Sequence, residues 1–199
     1  MFNIKTMFTG IMIGLSLYLV AQASVPAKVP EPPKKEFKTC EENILYRLNF
    51  YSELLVKLSV PYIWGGYWGT LGGDCSGQTY WVCHMAGLPV HRTTAARMWL
   101  DKGLWPGERV FIKVNEQDIA KFPDLLFWSY KPRKFGHVAF TVWNATDEKG
   151  RRTILFREAS FSKMIFKETE MKEKDGRWIN LVGVLVMDLT PGFKCELKK

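Results

Sequence analysis

The sequence predicts an α+β fold in one domain, with the helices first and the strands after them. Apolar residues recur at helical spacing between Ile44 and Leu58 and again from Cys75, whereas from Leu125 onward they fall in short runs rich in β-branched and aromatic residues. Helices followed by strands, rather than alternating with them, indicate α+β. The chain of 199 residues is 47% hydrophobic and 14% aromatic, which suits one packed core and excludes disorder throughout.

The elements follow in order. Lys5, an apolar run from Met7 to Val20 and the small-x-small triplet Ala21-Gln22-Ala23 predict a signal peptide over residues 1–23. The run is shorter than the roughly 20 apolar residues a membrane span needs, so no stable membrane anchor is expected after cleavage, and export to the periplasm, the cell wall or the medium is. Residues 24–38 carry Pro26, Pro30, Pro32 and Pro33 among lysines and glutamates and read as an extended tether. The folded domain is expected over 39–199. Thr39-Cys40-Glu41-Glu42 fits a capping box for a first helix, with Ile44, Leu45, Leu48, Tyr51, Leu55 and Leu58 at helical spacing and Pro61 as the stop. A second helix is predicted from Cys75 to Ala86, with Gly87 as a left-handed terminator. A short third one follows Thr93 or Thr94 and ends at Gly103. Strands are predicted at Leu125–Trp128, His137–Trp143, Thr153–Ala159 and Leu181–Leu189, with Lys131-Pro132-Arg133-Lys134 as a solvated loop. The charged segment Ser162–Arg177 reads equally as a hairpin arm or a helix.

The formal charge is +8, and loss of residues 1–23 removes one lysine and no acid, leaving +7. That sign suits an anionic partner without choosing one. Four cysteines in an exported chain raise the question of disulfides. Cys75 and Cys83 on one helix would stand ~12 Å apart, beyond the ~7 Å limit for bridging. Cys40 and Cys195 flank the domain, and the sequence predicts a bridge between them; four free thiols is the alternative in a reducing compartment. Cys75, Cys83, His84 and His91 lack the C-x(2–4)-C spacing of structural zinc sites, so no metal and no cofactor is predicted.

Asp74-Cys75-Ser76-Gly77, just past Gly65-Gly66 and Gly72-Gly73, opens the second helix. A cysteine in a helix's first turn meets backbone N–H groups and a dipole that favour the thiolate, the reactive form. Together with Pro61-Tyr62-Ile63-Trp64-Gly65-Gly66, Gly87-Leu88-Pro89, Arg92-Thr93-Thr94, Pro123-Asp124-Leu125-Leu126-Phe127-Trp128, Gly136-His137-Val138-Ala139 and Phe156-Arg157-Glu158-Ala159-Ser160, this series resembles the NlpC/P60 family of cell-wall cysteine peptidases over residues 41–189. The resemblance implies a papain-like fold, N-terminal helices packed on a mostly antiparallel sheet. It also implies catalytic Cys75 and His137, with Glu158 where the family has a polar residue, often histidine. Tyr62 is implied as an oxyanion support, and Asp74, Ser76 and Arg92 as substrate contacts. The implied partner is the peptidoglycan stem peptide, with no nucleic acid involved and the enzyme a monomer.

The strand pattern adds a register. If Trp143 lies opposite Arg152 across Asp147-Glu148-Lys149-Gly150, His137 lies opposite Glu158, and a slip of one residue would turn Glu158 to the other face. The plainer alternatives are a cross-strand partner for a basic residue in the case of Glu158 and a core position in that of Tyr62. Two other function classes compete: thiol-dependent acyl transfer or amidase chemistry on a lipid or protein, and a non-catalytic wall-binding module.

Overall fold

The computed structural model describes residues 29–100, 111–114, 121–130, 133–175, 177 and 180–187. Contacts divide the chain into Met1–Glu31 and Pro32–Lys199; the fold below is that of the second unit. Its described elements are helices α1 (Cys40–Lys57), α2 (Cys75–Met85) and α3 (Ala95–Leu100), a short 3₁₀ turn at Gly69–Leu71, and strands β1 (Phe111–Val114), β2 (Leu125–Tyr130), β3 (Arg133–Thr146), β4 (Arg152–Ser160), β5 (Ile165–Lys172) and β6 (Leu181–Met187). This is the expected α+β order.

α1 starts where the capping box places it. The Thr39 hydroxyl accepts from Glu42 N at 3.2 Å, and the Glu42 carboxylate accepts from Lys38 N at 2.9 Å, one residue before the cap. Ile44, Leu48, Tyr51 and Leu55 are its buried stripe. Arg47 ties it to the end of α2 by donating to the Met85 carbonyl from Nη2 at 2.7 Å, and Tyr51 meets Trp81 of α2 edge to face at 5.6 Å. The last part of the Pro-rich stretch lies along α1: Phe37 packs on Tyr46 at 5.2 Å and the Tyr46 hydroxyl donates to the Pro33 carbonyl at 3.3 Å. α2 ends as its sequence predicts, with Gly87 at φ 93° and Leu88 N bonded back to the Cys83 carbonyl at 3.0 Å. Thr94 caps α3, its carbonyl accepting from Met98 N at 2.9 Å and its hydroxyl oxygen accepting from Arg97 N at 3.3 Å; Gly103, its expected end, lies outside the described residues.

Among the described residues the sheet has six strands in the order β1-β6-β2-β3-β4-β5, with antiparallel neighbours throughout. One face carries Phe127, which meets Trp99 of α3 at 5.4 Å, and Arg157, which donates to Asn49 Oδ1 and Ser52 Oγ of α1, both at 2.8 Å. The other face carries a cluster of Leu126, Trp128, Ala139, Ile154, Phe156, Met171, Leu181 and Val184.

Three readings need correction. Ser162–Arg177 is not left undecided: β5 pairs with β4 along its whole length, Thr153 with Lys172 through Ser160 with Ile165. Only Phe166 and Met171 of β5 are buried, and its charges lie outward, as suits an edge strand. Arg133 and Lys134 belong to β3, where Arg133 pairs with Tyr130, rather than to a loop. The β3–β4 register also differs. Thr146, not Trp143, faces Arg152, and beyond a bulge at Val142 Phe140 faces Arg157. Continued straight from the turn, the register would set Glu158 across from Phe140, on the face away from His137. The one extra residue in the bulge restores the face, so Glu158 lies across from Ala139, diagonal to His137.

Candidate active site

The glycine-rich loop and the first turn of α2 interlock through backbone. Tyr62 and Tyr67 both bridge to Gly73, Asp74 N donates to the Gly66 carbonyl at 3.1 Å, and Gly65 turns the chain at φ 73°. A Cβ on Gly77 would stand 1.9 Å from the Gly66 oxygen, so only glycine permits this approach. That contact fixes the helix start carrying Cys75.

Asp74 is the N-cap of α2. Its Oδ1 accepts from Gly77 N at 2.7 Å and from the Ser76 hydroxyl at 2.8 Å, while Oδ2 accepts from Gly65 N at 3.0 Å and from Arg92 Nη2 at 3.2 Å. Arg92 also donates to Ser76 Oγ at 3.0 Å and to the Thr93 carbonyl, and its guanidinium lies 5.7 Å from the centre of the Tyr67 ring. Asp74, Ser76 and Arg92 thus form one network beside the cysteine.

Cys75 is 8% exposed and His137 9%. The Cys75 sulfur lies 3.9 Å from the carbonyl of Gly136, the residue before His137. His137 Nε2 is 2.6 Å from Glu158 Oε2, which leaves Nδ1 for the sulfur. Burial lowers the imidazole pKa, but the charge and hydrogen bond of Cys75, followed by those of Glu158, outweigh it and raise the pKa from 6.5 to about 9. The Glu158 carboxyl is pushed up by burial and pulled down further by the Arg177 and His137 hydrogen bonds and charges, so it stays below the usual carboxylate range.

Tyr62 is buried, and burial, followed by the negative charges of Cys75 and Asp74, pushes its hydroxyl well above 10.0. Its ring meets Phe161 edge to face at 5.5 Å, and its N–H donates to the Met164 carbonyl at 2.8 Å. These two neighbours of Tyr62, Phe161 and Met164, are 66% and 52% exposed.

Two residues that sequence reasoning missed complete the cluster. Arg177 donates from Nη1 to Glu158 Oε1 at 2.8 Å and from Nη2 to Oε2 at 2.6 Å, and the Thr169 hydroxyl donates to Oε1 at 2.8 Å. A charged residue aimed into the sheet core implies a countercharge, but no spacing in the sequence identifies it.

Cys83 is a buried thiol whose pKa burial pushes up, and Cys75 and Cys83 are both free. Cys40 is disulfide-bonded, and Cys195 lies outside the described residues. His84 stacks on Tyr80 at 5.7 Å and, with His91, lines a cavity of about 340 Å³ beyond the end of α2. Among the described residues no three His, Cys, Asp or Glu side chains cluster to hold a metal.

No family model matches the chain, and no curated protein does. Solved structures do match. A Staphylococcus aureus protein described as similar to a lipoprotein of the NLP/P60 family aligns at a TM-score of 0.50 and 20% identity, over 79% of this chain and 45% of its own. NlpC2 from Trichomonas vaginalis aligns at 0.51 and 15%, over 78% of this chain and 49% of its own. The chain therefore spans less than half the length of either protein. The α+β arrangement expected from the motifs, helices with an antiparallel sheet, is the fold of these NlpC/P60 proteins, and this chain has it.

Proposed function

We propose that the protein is an exported cysteine peptidase that hydrolyses an amide bond in peptidoglycan stem peptides, of the D-glutamyl–diamino acid type. The observation that carries this reading is the His137 ring held by the Glu158 carboxylate at 2.6 Å, with the Cys75 sulfur 3.9 Å from the carbonyl of the residue before it. Cys75 gives its proton to His137, and the thiolate sulfur bonds to the substrate carbonyl carbon. As the carbon–nitrogen bond breaks, the imidazolium returns that proton to the leaving amine, and a thioester remains. A water molecule then gives its proton to neutral His137, its oxygen takes the acyl carbon, and the sulfur leaves to recover the thiol. The Cys75 N–H and the Tyr62 hydroxyl, kept protonated by its raised pKa, stabilise the oxyanion.

Asp74 and Arg92, partly exposed and already paired, offer one charge of each sign to a stem peptide's ammonium and carboxylate groups, with Ser76 between them. The leader-like N-terminus and the disulfide-bonded Cys40 support an oxidising destination. Digestion of purified muropeptides by the chain from Ser24 onward, beside Cys75→Ala, tests the reading by mass spectrometry. New fragments made only by the parent are expected; no cleavage while Cys75 still reacts with an alkylator would replace peptide by another acyl substrate. The specific support for that second reading, acyl transfer involving lipid, is the exposed Phe161 and Met164 that meet Tyr62.

A further inference from the structure

We infer that Arg177 is a positioning residue for the Cys75–His137–Glu158 site: its guanidinium fixes the Glu158 carboxylate against the imidazole and balances its charge. This inference rests on the catalytic reading above and deepens it.

The topology brings Arg177 there. β5 is an edge strand and β6 lies between β1 and β2, so the connection from Lys172 to Leu181 must pass β4, β3 and β2. Arg177 sits on that connection, over Phe156 of β4 at 5.0 Å and Trp128 of β2 at 5.4 Å. Both rings belong to the face that carries His137 and Glu158. Asn180 N donates to the Arg177 carbonyl at 3.2 Å and the Asn180 carbonyl accepts from Ser129 N at 2.9 Å, which pins the connection to the end of β2.

The chemistry requires such a group. Glu158 is 2% exposed, and a carboxylate that far from water is tolerated only when its oxygens are matched by donors and its charge by a countercharge. Arg177 supplies two parallel bonds and a positive charge at once, which a lysine cannot reproduce. Thr169 fills a further acceptor direction on Oε1, and His137 receives the remaining interaction of Oε2. Without Arg177 the whole carboxylate charge would fall on the imidazolium and hold the proton that the ring must deliver.

The groups facing this pair are Cys75 from α2, Glu158 from β4, Thr169 and the cross-strand Lys167 from β5, Trp128 from β2 and Arg177 itself. Of these Arg177 is the one cation bonded to the carboxylate among the described residues.

The test is an NMR titration of the His137 ring in the parent, Arg177→Met, Arg177→Lys, Glu158→Gln and the Arg177→Met/Glu158→Gln double variant; the chain has three histidines, so the signal is readily assigned. Arg177→Met is expected to move the His137 midpoint to higher pH by about one unit, with Arg177→Lys between it and the parent. On muropeptide, kcat should fall about 10- to 100-fold while KM changes less than about threefold, the pattern of a misplaced catalytic group. With Glu158→Gln already present, adding Arg177→Met should change neither readout by more than about twofold. An unmoved midpoint in folded Arg177→Met, or an equal loss in both backgrounds, overturns the inference. If Arg177→Met fails to fold, the double variant must fold, because no lone buried carboxylate remains; its failure would also overturn the proposal. A parent that titrates as expected but cleaves no muropeptide would sink the peptidase reading and leave Arg177's role standing.

Discussion

Replacing Gly77 by alanine tests whether the motif glycine builds the site or merely follows the cysteine. The added Cβ would meet the Gly66 oxygen at 1.9 Å, the Gly66 carbon at 2.9 Å and the Tyr67 Cα at 3.0 Å. All three are backbone atoms, so no side chain can swing aside. Ordinary contact begins near 3.4 Å, so α2 and the glycine loop must separate by about 1.5 Å. Overpacking of this kind costs about 1–3 kcal/mol, and the Asp74 N to Gly66 O bond, worth about 1 kcal/mol, is stretched with it. Better helix propensity returns about 1 kcal/mol. The expected net loss is about 2 kcal/mol, seen as a melting point lower by about 4–8 °C. Displacing Cys75 from His137 by about 1 Å should lower kcat/KM roughly 100-fold. Gly87→Ala is the control: φ is 93° but nothing lies within 4 Å of the new atom, so about 1–2 kcal/mol of backbone strain is expected with activity retained. Denaturant melts and muropeptide kinetics on both variants decide it. Gly77→Ala with parental stability and parental kcat/KM would refute the reasoning.

Activity should fall as pH rises through about 9, where His137 loses the proton that the leaving amine needs. Glu158→Gln removes one of the charges raising that imidazole and should bring the alkaline limb to lower pH; a limb fixed at the parental position would count against the pairing. An imidazole raised on folding contributes stability in full below about 6.5 and loses it as pH climbs through about 9. Unfolding free energy should therefore decline across that window in the parent and change less in Glu158→Gln, as urea melts at successive pH values would show. Arg157→Leu strips the Asn49, Ser52 and Glu168 partners of a side chain that is 7% exposed, and a loss of about 2–4 kcal/mol is expected. Because Arg157 points to the helix-bearing face, kcat should survive; a collapse of kcat in folded protein would show that the two faces are coupled. Asp74→Ala removes the cap of α2 and the anchor of Arg92, for about 1–2 kcal/mol of stability and a higher KM, measured by the same melts and kinetics.

Much of this was legible along the chain because it depends on near neighbours. The Thr39 and Asp74 caps, the Gly87 terminator and the buried stripe of α1 follow from spacing within one or two turns. The placement of Cys75 at a helix start and of His137 on a strand belongs to the same class. β1 is silent in the sequence because four residues are too few to show a period. β5 has no strand signature in the sequence because only Phe166 and Met171 are buried and they point to opposite faces, so no apolar alternation appears.

The sequence by itself determined the order of elements, the chemistry available and the residue types at the site, since propensity, capping and turn preference act over a few residues. Tertiary structure decided which groups meet. The one-residue bulge at Val142 decides which face Glu158 joins, and the connection from β5 to β6 across the sheet brings Arg177 to it from 19 positions away. Neither can be read from local pattern, because register and countercharge are properties of pairs that the fold assembles rather than of segments that the chain spells out.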